Sequence, residues 1–201
     1  MINLFKRKRY LNESWIKPIT LINLRWLAIV GQVVAIAVTD FILNFTFNVE
    51  ACLIIIFFSC VINLTSSVYF RTEKRLSALK TFFFLAFDLT QISLLLFFSG
   101  GISNPFSILI IVPTIVGASS LPVIYLIILG VMTLLSTSFL SIRYFPIIDS
   151  SGDILKSPEI LLFGFSVSLI ITVTFLGGYV RKIFLDNSNM NRALQATQVA
   201  L

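Results

Sequence analysis

The chain has 201 residues, 57% hydrophobic and only 12% charged, with a net charge of +6 and no histidine. That balance excludes an ordinary soluble domain and points to a membrane protein. The basic residues gather beside apolar runs, the pattern of membrane topology, which excludes a nucleic-acid-binding face.

Residues 1–23 read as a basic cytoplasmic segment, with Trp15 and Lys17 near the coming interface. Lys6, Arg7, Lys8 and Arg9 lead into a polar stretch rather than a short apolar core, so no cleavable signal peptide is expected. Membrane spans are predicted at residues 24–43, 49–70 and 79–99, each long enough for about 30 Å of hydrocarbon. Residues 106–141 are too long for one crossing. Ser119, Ser120, Leu121 and Pro122 mark a turn that splits them into two short spans, with Pro113 kinking the first. A last span is expected at residues 159–179. Cys52 and Cys60 share the second span, about 12 Å apart along the axis, too far to bridge to each other. With no histidine and no CxxC, a metal site has no obvious ligands.

The expected fold is therefore an all-α membrane protein. It has six transmembrane helices over residues 24–180, both termini cytoplasmic, and a helical extension over residues 181–201. Six spans leave only Arg143 and Lys156 outside, whereas five would expose Arg181 and Lys182 on the wrong face. The outer loops are too short to fold a soluble sensor domain, so any signal is read within or beside the bilayer.

Two features within the spans carry chemical potential. Asp88 falls mid-span, where an ionised carboxylate costs about 2.5–3.5 kcal/mol, and Gln91 lies one turn further on the same face. Asp88 reads either as a functional, proton-linked carboxyl or as a helix-to-helix hydrogen-bonding group reaching Gln32 or Asn63. Arg25 and Trp26 read as interface anchors.

The second feature is the polar break Gly100-Gly101-Ile102-Ser103-Asn104-Pro105-Phe106. As a connector it makes sense residue by residue. A glycine closes one helix in the left-handed conformation, Asn104 caps the next, and Pro105 takes its first position. As a ligand site it makes sense too. The glycines allow close approach, Asn104 can donate to a carbonyl, and Phe106 offers a face to an aromatic ring. Phe97 and Phe98 could wall such a pocket.

This stretch resembles the GGxxNPF heptapeptide of the RegB/PrrB/ActS family, bacterial membrane sensor histidine kinases that respond to the redox state of the ubiquinone pool. All five fixed positions are present. The resemblance extends to residues 24–28 with Gly31 and Gln32, to Asp88 and Gln91, and to residues 192–198. It implies a multi-pass protein of the bacterial cytoplasmic (inner) membrane, in contact with lipid. The implied ligand is ubiquinone, bound by Gly100, Gly101, Asn104, Pro105, Phe106, Asp88 and Gln91. Oxidised ubiquinone is expected to favour the kinase-off state.

A heptad seam at Ile183, Asn187, Met190, Leu194, Thr197 and Leu201 predicts a dimeric signalling helix, with Gly177 and Gly178 as a joint before it. The chain has no histidine to accept phosphate and no glycine-rich ATP-binding box. ATP binding and the response regulator would thus belong to a kinase domain outside a fragmentary chain. The rival readings are a quinone-binding subunit of an electron-transfer enzyme and a small transporter. The missing histidines oppose haem, and the single mid-span carboxylate opposes transport of a charged solute.

Overall fold

The computed structural model describes residues 17–42, 44–70, 75–148 and 151–154, with isolated positions between 163 and 189. Its regular elements among the described residues are helices, with α1 Pro18–Ala37, α2 Val49–Tyr69, α3 Ala78–Phe98, α4 Val112–Ser120 and α5 Val123–Ile142. A π-helical turn, Val38–Ile42, continues α1, and 3-10 turns at Gly101–Ser103 and Pro105–Ile111 join α3 to α4.

Local sequence sets these boundaries. Pro18 occupies the first turn of α1, where its missing N–H costs nothing. The Asn48 side chain caps α2 by accepting from the Ala51 N–H, and Ser77 caps α3 by accepting from Lys80.

Helix α3 is the centre of the bundle and packs against α2, α4 and α5. Its buried positions include Leu85, Leu89 and Leu96, which join Ile110, Leu121, Leu129 and Leu140 in the main core. Helix α2 turns a stripe of mostly small and polar residues inward, Cys52, Ser59, Asn63 and Ser66, together with the larger Ile56. Large apolar side chains such as Leu27, Phe57, Val68 and Ile127 face outward, as helices in lipid require. Helix α1 packs along α2 and reaches α3 through long polar side chains.

The connections at one end of the bundle are tied together. Thr46 and Ile148 exchange backbone hydrogen bonds of 2.8 and 2.9 Å, and the Phe145 N–H donates to the Phe97 carbonyl at 2.8 Å. Phe97 and Phe98 pack with Phe139 and Phe145 in an aromatic cluster at this end.

The six-span expectation is corrected by this architecture. Among the described residues, four helices are long and apolar enough to cross a membrane: Pro18–Ile42, Val49–Tyr69, Ala78–Phe98 and Val123–Ile142. The turn at residues 119–122 does divide residues 106–141, but its first half is too short to count as a span. It consists of seven residues of 3-10 helix and nine of α-helix. Proline is the reason. Pro113 has no N–H to give to the Leu109 carbonyl, and the Val112 N–H takes that carbonyl instead in a tighter turn. Pro113 thereby opens α4 rather than kinking a longer helix. The assignment of both termini to the cytoplasmic side rested on the six-span count and is not retained. The predicted span at 159–179, the segment 1–16 and the heptad seam lie largely or wholly outside the described residues.

Candidate functional site

Between α1, α3 and the 3-10 segment lies a cavity of about 560 Å³. It exists because α1 and α3 are held apart by polar side chains rather than packed backbone to backbone. The Arg25 Nε donates to Asp88 Oδ1 at 2.6 Å, and Nη2 reaches the Phe84 carbonyl at 3.3 Å. The rings of Phe84 and Phe87 lie 4.9 and 5.0 Å from the guanidinium carbon. One turn along, the Gln91 amide donates to Gln32 Oε1 at 2.9 Å while its own Oε1 accepts from Ser59 at 3.2 Å.

Arg25 is therefore no interface anchor. Helix α1 starts at Pro18, which carries Arg25 two turns into the helix, where it is only 4% exposed and paired with Asp88. Asp88 in turn bonds neither Gln32 nor Asn63. Gln32 pairs with Gln91, and Asn63 donates to the Ile22 carbonyl. Trp26 packs beside the smaller core cluster of Ile29, Cys52, Ile56 and Leu95.

The cavity runs along α3 from Leu85 to Ser99 and ends at Asn104 and Phe106. Four of the seven sequence-predicted residues line it: Asp88, Gln91, Asn104 and Phe106. Gly100, Gly101 and Pro105 do not, and the two glycines have a mechanical role. Their φ values are +98° and +60°, in the left-handed region. A Cβ on Gly100 would stand 2.6 Å from Ile147, and one on Gly101 would stand 2.7 Å from the Leu140 carbonyl oxygen and Tyr144. The glycines thus let the turn close against the chain after α5. Phe97 and Phe98 do not line the cavity.

Asn104 holds the turn from within. Its amide donates to both the carbonyl and the hydroxyl of Ser99 at 2.8 Å, and its Oδ1 accepts from the Phe106 N–H at 2.8 Å. Phe106 is 40% exposed and, with Leu24, Leu27, Leu109 and Val112, forms the outward-facing rim of the cavity. An entrance of that composition, on helices that face lipid, suits a ligand arriving from the hydrocarbon. Another hollow, of about 640 Å³, lies at the end of α2 and is lined, among the described residues, by Leu64, Thr65, Ser66, Val68, Tyr69 and Phe70. Among the described residues no cluster of His, Cys, Asp or Glu could hold a metal ion.

No protein-family model and no solved structure matches the chain. Two curated relatives do. The sensor histidine kinase RegB of Cereibacter sphaeroides is 36% identical over 188 residues, covering 94% of this chain and 41% of RegB. A RegB sequence from a specified strain of the same species matches with the same identity and coverage. The chain thus spans about two-fifths of the length of the curated relatives it matches. Over nearly all of its own length the chain is homologous to part of the sensor histidine kinase RegB.

Proposed function

We propose that this chain is the sensing region of a membrane histidine kinase, and that it binds ubiquinone in the cavity between α1, α3 and α4. One observation carries the reading. A single lipid-facing cavity brings Asp88 and Gln91 together with Asn104 and Phe106, residues far apart on α3 and its following turn. The ligand's redox state biases how α1 and α4 pack on α3, and that bias is passed to a kinase acting as a dimer on a response regulator. The phosphoacceptor histidine would come from outside these residues, since the chain contains no histidine. To act as a switch, the oxidised and reduced ligands must differ in affinity between two packings, because equal affinity shifts nothing.

Titration of the chain in nanodiscs with decylubiquinone tests this. Saturable binding by wild type is expected, weakened at least tenfold by Ala28→Phe, which fills the cavity, and untouched by the lipid-facing Phe57→Ala. Uptake that merely follows lipid partitioning in all three would refute the reading.

A further inference from the structure

The cavity has two polar ends. Asp88 and Ser99 are separated by eleven positions of α3, about 16 Å along its axis, so one ring with its carbonyl oxygens can meet only one end. At the Ser99 end the hydrogen-bonding capacity is committed. The Asn104 amide is engaged twice with Ser99, the Asn104 oxygen holds Phe106, and the Ser99 hydroxyl donates to the Leu95 carbonyl at 2.7 Å. A head group bound there would have to open the turn that forms the wall.

The other end offers an unused donor. Arg25 is 4% exposed and lines the cavity, and its Nη1 is buried behind the wall with no hydrogen-bond partner, so a small movement of the side chain is needed before it meets a ligand oxygen. An orphaned guanidinium N–H is costly, and what it lacks is an acceptor oxygen. Its plane is fixed on three sides, by Asp88 at Nε, by the Phe84 carbonyl at Nη2, and by the Phe84 and Phe87 rings. Asp88 already offsets the positive charge, so a neutral carbonyl suits the site better than a second carboxylate. Ser103 Oγ is also buried without a partner, but Ser103 does not line the cavity.

We infer that Arg25 is the residue that recognises the ligand's head group, donating from its guanidinium to one carbonyl oxygen. The Gln32–Gln91 pair stands one turn away along α3, and Asn104 keeps the far wall in place without touching the head group. This assignment rests on the quinone reading above.

The test is infrared difference spectroscopy of the chain in nanodiscs with decylubiquinone labelled with ¹³C at each carbonyl in turn. One carbonyl stretch is expected at lower frequency than in lipid alone. In Arg25→Leu/Asp88→Leu, which removes the pair without stranding a charge, the shift disappears and affinity falls at least tenfold. Arg25→Lys keeps the charge beside Asp88 but has one nitrogen in place of three, so none is left over for the ligand, and it is expected to lose the shift as well. Asn104→Ala retains it. A shift that survives in the double variant, or that vanishes only in Asn104→Ala, overturns the assignment and leaves quinone binding standing. Absence of saturable binding by wild type overturns the quinone reading itself and this assignment with it.

Discussion

Replacing Asp88 by leucine strands Arg25, which is 4% exposed and would keep only its contact with the Phe84 carbonyl and the flanking rings. Breaking one side of a buried pair costs about 3–5 kcal/mol, because the remaining charge is left uncompensated. Asp88→Asn preserves an acceptor oxygen for Nε and removes only the charge, so a loss of about 1.5–3 kcal/mol is expected. Removing both partners, in Arg25→Leu/Asp88→Leu, strands neither charge and is expected to fall within about 1 kcal/mol of wild type. The cycle therefore predicts strong coupling between positions 63 residues apart in sequence and 2.6 Å apart in space. Unfolding in mixed micelles by added dodecyl sulfate, followed by circular dichroism, measures each corner. Asp88→Leu within about 1 kcal/mol of wild type, or a double variant as unstable as the two single losses added, would refute the buried pair.

The turn after α3 yields a sharper contrast. Gly101→Ala places a Cβ against the Leu140 carbonyl at a φ of +60°, and about 1–3 kcal/mol of stability should be lost in the same assay. Gly130→Ala, whose new methyl meets nothing within 4 Å in the middle of α5, should be neutral or slightly stabilising. Asn104→Ala removes a cap and should cost about 1 kcal/mol, a loss that Asn104→Asp repairs only in part because it keeps the acceptor for Phe106 but not the donors to Ser99. Gln91→Leu cuts the Ser59–Gln91–Gln32 chain and should cost about 1 kcal/mol, given about 0.6 kcal/mol for a typical hydrogen bond between membrane helices. A loss several times larger would mean that this chain, rather than the ion pair, holds α1 to α3.

Helices α2 and α3 match their sequence-predicted spans closely because each is one apolar run of membrane-crossing length, with polar capping residues at its start. The turn residues were legible for a similar reason. Gly100, Asn104 and Pro105 each do locally what their chemistry allows best, and local chemistry is what a sequence displays. Arg25 was misread because hydropathy places it at the end of an apolar run, while its partner lies 63 positions away and nothing local announces the pairing. The short α4 was misread because hydropathy sees a mostly apolar run across positions 105–120. Whether they wind as 3-10 or α-helix depends on which carbonyls the two prolines leave to the remaining N–H groups. That Asp88 and Asn104 border the same cavity could not be read from either motif, since it depends on the spacing of α1 from α3.

Photoaffinity labelling with an azido-ubiquinone in membranes containing the chain, mapped by peptide mass spectrometry, tests the proposed site most directly. Labels confined to the cavity-lining parts of residues 21–52 and 85–116, and displaced by excess decylubiquinone, are the expected result. Labels spread over lipid-facing positions such as Phe57, Val68 and Ile127, and indifferent to competitor, would contradict a built quinone site.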